Sequence, residues 1–85
     1  MKIAKTENFV LRYQKLPKSI QKKVDKQIIN LSKNFLYPSL RTKKLKGFDD
    51  WWEFRVDYHY RMIGKKMADT IIFHSVGPHD EGLKP

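Results

Sequence analysis

An 85-residue chain with 40% hydrophobic residues holds enough apolar material for one small core and leaves no room for a second. It has no cysteine, which excludes disulfides and thiolate zinc sites, and no apolar run approaches the length of a membrane span. Eighteen Lys and Arg against nine Asp and Glu give a formal charge of +9, so the expected partners are anionic: nucleic acid, an anionic membrane surface or an acidic protein.

Met1 to Lys5 is short and alternating, which suits an edge or terminal strand. It lacks the apolar segment of a signal peptide, so the cytoplasm is the expected location. Thr6 can cap a helix whose apolar positions, Phe9, Val10, Tyr13 and Leu16, fall at helical spacing. Pro17 interrupts that helix and fits the first turn of the next. There Ile20, Val24, Ile28, Leu31 and Phe35 form one stripe, and Lys18, Lys22, Lys23, Lys26 and Lys33 occupy the remaining surface. So short a link predicts an antiparallel αα-hairpin. The second helix must end by Tyr37-Pro38, because a residue before proline is pushed out of the α region.

From Ser39 the period changes to two, with Trp52, Phe54 and Val56 pointing one way and Glu53, Arg55 and Asp57 the other. Leu40 to Lys46 reads as a strand or extended segment before a Gly47-Phe48-Asp49-Asp50 loop. Asp57-Tyr58-His59 is a turn, Tyr60 to Lys65 a strand, Lys66 to Asp69 a second turn and Thr70 to Val76 the last strand. The order β-α-α-β-β-β predicts an α+β fold over residues 1–85: an N-terminal αα-hairpin packed on one face of a small, mainly antiparallel four-stranded sheet.

A three-residue loop at Asp57 to His59 pairs Phe54 with Met62 and Arg55 with Arg61. Two arginines directly opposite repel each other unless an anion sits between them, so removing one is expected to relieve strain. Phosphate is the natural anion, because its oxygens match the guanidinium fork. The competing reading pairs both arginines with Glu53 and Asp57 as surface salt bridges.

The run Val76-Gly77-Pro78-His79-Asp80-Glu81 ends the last strand with an imidazole beside a carboxylate, next to the strand that carries Arg61. Histidine is the side chain whose ordinary pKa lets it take and give a proton near neutrality. Alone, such a pair reads as a polar turn. Together with Arg55, Arg61, Glu53 and the basic Lys43-Lys44-Leu45-Lys46 segment, it forms a candidate catalytic set. His59 falls in a turn, and His74 lies mid-strand on the side expected to face the helices, as a structural histidine. No spacing suggests a metal cage, a phosphate loop or a nucleophile elbow.

The fitting chemistry is phosphodiester transfer by protein groups alone, with no metal or cofactor. RNA brings its own nucleophile, the 2′-OH. The protein must supply a base for it, cations for the crowded phosphorane and an acid for the departing 5′-oxygen. Arg55 and Arg61 suit the phosphate, His79 suits proton transfer, and Asp80 or Glu53 suits orienting or assisting it. Lys43, Lys44 and Lys46 suit RNA binding. An inert nucleic-acid-binding domain, whose cations simply track phosphates, is the alternative.

The ordered series Leu16-Pro17-Lys18, Pro38-Ser39-Leu40, Lys43-Lys44-Leu45-Lys46-Gly47, Trp52-Glu53-Phe54-Arg55-Val56, Tyr60-Arg61-Met62 and Val76-Gly77-Pro78-His79-Asp80-Glu81 resembles the RelE/ParE superfamily of bacterial toxin-antitoxin toxins. The resemblance implies a metal-independent endoribonuclease that cuts mRNA, usually on the ribosome, and is blocked by an acidic antitoxin. It places Arg61 on the phosphate-binding arginine of RelE-like enzymes and His79 on the C-terminal catalytic histidine of YafQ-like members. Arg55 falls where these enzymes carry a basic residue or a histidine, and Lys43, Lys44 and Lys46 in the segment that supplies basic groups. Glu53 departs from the pattern, standing where RelE has a catalytic lysine. The superfamily's ParE branch implies a different target, DNA gyrase, poisoned by protein binding.

Overall fold

Thr6 starts the first helix by accepting the Phe9 N–H on its hydroxyl oxygen at 3.2 Å, which satisfies one of the free donors of the first turn. In the computed structural model, which describes all 85 residues, the chain order is β1 (Lys2–Lys5), α1 (Glu7–Gln14), α2 (Lys18–Lys33), β2 (Lys43–Lys44), β3 (Trp51–Arg55), β4 (Tyr60–Met67) and β5 (Thr70–Pro78). Short helical turns follow α2 and β5, at Pro38–Leu40 and His79–Glu81. No helix is long and apolar enough to cross a membrane.

The α+β class and the helical pair on one sheet face are as expected. The sheet has five strands rather than four, in the order β1-β5-β4-β3-β2. The extra strand is Lys43–Lys44, which pairs antiparallel with Trp52 and Glu53. β1 runs parallel to β5, and every other pairing is antiparallel. The β4–β5 hairpin is tighter than expected: the strands continue to Met67 and resume at Thr70, leaving Ala68 and Asp69 as the loop.

The core lies between the helices and one sheet face. Phe9, Ile20, Val24 and Leu31 from the helices meet Phe54, Met62, Ile71, Phe73 and Val76 from the strands, all buried. Each such side chain contributes roughly 1.5–3 kcal/mol when removed from water. Phe35 lies beyond the end of α2 yet still packs edge-on against Trp52 and Phe54, at ring-centre distances of 5.0 and 5.9 Å.

Gln27 is a buried polar residue in the apolar stripe of α2. Its amide nitrogen donates to the carbonyls of Ser39 (3.1 Å) and Arg55 (2.8 Å), while its oxygen accepts from Asn30 and Ser39. Burial of that amide is therefore compensated, and the helix is tied to the end of β3.

A bulge in β5 corrects the placement of His74. Ile63 pairs with Ser75 but Gly64 with Phe73, so His74 is an extra residue opposite its partner strand. Phe73 and Val76 both reach the core although three positions apart, which strict alternation forbids. His74 instead sits on the open face, its ring 4.5 Å from that of Trp51. Burial, and then the neighbouring Lys65 charge, hold its imidazole pKa below the ordinary value. Beside the bulge a side chain on Gly64 would collide with the Ile72 carbonyl, 2.9 Å from where a Cβ would stand.

Beyond β1, helix α1 covers the free edge of β5. The carbonyl of His74 accepts from the Thr6 hydroxyl (3.3 Å) and the Asn8 amide (2.8 Å), and that of Val76 from Arg12 (3.4 Å). Arg12 also pairs with Glu81, anchoring the turn that begins with His79.

Candidate active site

On the open face, alternation along β3 aligns Trp51, Glu53 and Arg55, and the antiparallel register sets Arg55 directly opposite Arg61. Cross-strand neighbours of this kind have Cβ atoms roughly 5 Å apart. Lys43 joins them from β2 by pairing with Glu53. At the far side, β5 ends with Gly77 opposite Arg61 and Pro78 opposite Tyr60. The backbone N–H of His79 then donates to the His59 carbonyl at 2.6 Å, fixing the start of the last turn against the β3–β4 hairpin tip.

These pairings create a cleft of about 190 Å³ lined by Arg41, Lys43, Glu53, Arg55, Arg61 and His79, with no hydrophobic side chain. Other grooves on the surface are larger, but this one concentrates the polar chemistry. Its lining carries four permanent cations and a single carboxylate. The only ion pairs in the protein are Arg12–Glu81 and Lys23–Asp57, so none of the cleft cations is neutralised by a salt bridge. The surface-pair reading of Arg55 and Arg61 is not realised. Like charges held side by side without a counterion give the cleft a positive potential that suits an anion.

Asp57 is engaged elsewhere. One carboxylate oxygen accepts the backbone N–H groups of His59 (2.8 Å) and Tyr60 (2.9 Å), and the other meets Lys23 at 3.1 Å. Burial works to raise its pKa, but the His59 and Tyr60 N–H groups and the Lys23 ammonium outweigh it and hold the carboxyl below its usual range.

Arg61 is positioned by the same hairpin. One guanidinium nitrogen, Nη1, lies 2.6 Å from the carbonyl of Asp57, 3.0 Å from that of Tyr60 and 3.3 Å from that of Tyr58. Anchoring one arm on backbone oxygens restricts the side chain and leaves the remainder of the fork for a ligand. Arg55 rests on the ring of Tyr58, its guanidinium carbon 5.7 Å from the ring centre.

Of the residues singled out from sequence, Arg55, Arg61, Glu53, His79 and Lys43 thus share one cleft. Asp80 lies outside it, in an adjoining groove that also includes His79. Lys44 pairs with Trp52 and falls on the other side of β2, and Lys46 follows the strand, outside the cleft lining. Arg41 was not anticipated. It adopts a left-handed backbone, φ 45°, after the Pro38–Leu40 turn. Its two-residue spacing from Lys43 was the available signal. No three His, Cys, Asp or Glu side chains converge to form a metal site.

No curated protein matches the chain in sequence. Among solved structures, it is similar to the RelB-RelE antitoxin-toxin complex from Methanococcus jannaschii, with 25% identity, 92% of each chain covered and a TM-score of 0.78. The E. coli DinJ-YafQ toxin-antitoxin complex matches over 98% of this chain and 97% of that one, at 16% identity and a TM-score of 0.79. The YoeB/ParE toxin from Agrobacterium tumefaciens matches over 93% and 99%, at 18% identity and a TM-score of 0.77. The model of the ParE-like toxin domain matches residues 18–81, from the start of α2 to the turn bearing His79. The chain therefore belongs to the ParE-like toxin domain family, within the RelE/ParE superfamily of toxins.

Proposed function

We propose that this toxin is an endoribonuclease that cuts mRNA through the RNA's own 2′-OH, inhibiting translation. The observation that carries this reading is the cleft itself: Arg55 and Arg61, neither paired with a carboxylate, share with Arg41, Lys43, Glu53 and His79 the lining of a space that has no apolar side chain. In the proposed reaction the arginines hold the scissile phosphate and offset the charge that builds on the phosphorane. Glu53, the one carboxylate in the cleft, accepts the 2′-OH proton as that oxygen bonds to phosphorus. His79 gives a proton to the 5′-oxygen as its bond to phosphorus breaks, leaving a 2′,3′-cyclic phosphate and a free 5′-OH. Asp80, one residue along, assists the imidazole, while Lys44 and Lys46, outside the cleft lining at its β2 end, add to the cationic surface that attracts the strand.

The proposed protein partner is an acidic antitoxin, bound to this chain as antitoxins are bound to toxins in the RelB-RelE and DinJ-YafQ complexes. A surface carrying +9 attracts such a partner, as it attracts mRNA and the ribosome.

The match to a ParE-like model favours a second reading, in which the toxin binds DNA gyrase. Primer extension on mRNA after brief induction separates the two. Discrete cuts that disappear in Arg61→Ala support the nuclease; DNA damage with intact messages supports gyrase as the target. Repeating the assay with translation blocked reads out whether cleavage depends on the ribosome.

A further inference from the structure

A second groove, of about 330 Å³, adjoins the cationic cleft and is lined by Tyr58, His59, Tyr60, Pro78, His79 and Asp80. His79 is the wall the two have in common. Tyr58 stands at the tip of the β3–β4 hairpin and is 75% exposed. Its ring is nonetheless held: Arg55 lies against it, the His59 ring meets it edge-on at 5.0 Å, and Arg61 reaches its carbonyl at 3.3 Å. The two arginines facing the cleft therefore also set the position of an exposed aromatic ring beside it. An accessible aromatic ring next to a cationic track is the arrangement by which proteins hold single-stranded nucleic acid, stacking on a base while cations take the backbone.

We infer that this groove is a nucleobase subsite, in which Tyr58 stacks on the base adjoining the phosphate held by Arg55 and Arg61. The choice of RNA as ligand rests on the ribonuclease reading. Pre-positioning by Arg55 and Arg61 fixes the spacing between stacked base and bound phosphate, so the two grooves act as one nucleotide-wide site.

The test uses the full-length protein and two labelled ligands read by fluorescence anisotropy. One is a 2′-O-methylated single-stranded RNA, which cannot supply the attacking hydroxyl; the other is the same strand with its central bases removed. Stacking predicts that Tyr58→Ala weakens binding of the intact strand about 5- to 100-fold and leaves the abasic strand unaffected. Tyr58→Phe, which keeps the ring, should stay within about twofold of wild type on both strands. Equal losses on both ligands would show that Tyr58 acts only through Arg55 on the backbone, and would overturn the inference. So would an unchanged affinity of Tyr58→Ala for the intact strand, or no binding by the wild-type protein. Cleavage of unmodified messages by wild type and Arg61→Ala is scored separately. Arg61-dependent cuts with Tyr58-independent binding remove the subsite alone; Tyr58-dependent binding without cuts removes the nuclease alone.

Discussion

Arg61 combines two demands on one guanidinium. Its placement opposite Arg55 suggests that deleting it relieves repulsion and stabilises the fold. Its contacts with the Asp57, Tyr58 and Tyr60 carbonyls reverse that expectation, since their removal unclamps the hairpin. Arg61→Ala should therefore lower cleavage about 10²–10³-fold, as the loss of a transition-state donor does. It should also cost about 1 kcal/mol of stability in denaturant melts, and a gain in stability would show that repulsion dominates. The role proposed for His79 leads to a different expectation, because a proton carrier matters while bonds are breaking and contributes little to holding RNA. His79→Ala should reduce single-turnover cleavage at saturating RNA about 10²–10⁴-fold with affinity close to wild type. Lys46→Ala, outside the cleft, should do the reverse, weakening RNA binding and flattening its salt slope by about one unit while saturated cleavage persists. A His79→Ala protein that binds poorly but cleaves normally at saturation would make His79 a binding residue.

The elements that hold these side chains differ in how openly the sequence announces them. Period-two alternation from Trp52 to Asp57 and the three-residue turn gave the Arg55–Arg61 register, because a hairpin loop of fixed length leaves no freedom to slip. The bulge at His74 was hidden, since one extra residue in a β-branched run changes no residue type and only shifts which side chains face inward. Gln27 was hidden for the opposite reason: a polar residue at a stripe position reads as surface until its partners, Ser39 and Arg55, are known to meet it. Gln27→Ala should cost about 1–3 kcal/mol by leaving those part-buried carbonyls without their donor, and a smaller loss in denaturant melts would mean that water replaces the amide. The hairpin turn offers a pH test of the same kind. Asp57 is held below its unfolded pKa of about 3.9, so its contribution to stability is complete above that pH and is lost as pH falls through the folded value. Asp57→Asn keeps an oxygen for the His59 and Tyr60 N–H groups and removes the charge that faces Lys23. Melting temperatures measured between pH 7 and pH 3 should fall less steeply in Asp57→Asn than in wild type; parallel curves would place the acid-sensitive group elsewhere.

For the molecule as a whole, the charge acts over a distance set by the solvent. The protein measures 31 × 26 × 23 Å and carries +9, so at about 0.01 M salt, where the screening length is roughly 30 Å, an approaching acidic partner feels nearly all of it. At about 1 M that length shrinks to roughly 3 Å, and only charges already in contact still count. The lysines of α2 and the cations of the cleft lie on opposite faces of the sheet, so steering does not depend on which face the partner meets first. Ile29, Leu36 and Tyr37 expose apolar surface along and beyond α2, and if the proposed antitoxin covers it, that burial does not depend on salt in the same way. The two contributions separate kinetically. The association rate of the proposed acidic antitoxin should fall at least about tenfold between low and high salt, because long-range attraction governs encounter. Its dissociation rate should change far less, and Leu36→Ala should raise that rate while leaving the salt dependence of association intact. Surface-bound kinetics on the assembled toxin and antitoxin read both numbers at once. An association rate indifferent to salt would mean that the net charge serves RNA alone, and that the antitoxin finds its toxin by shape and apolar contact.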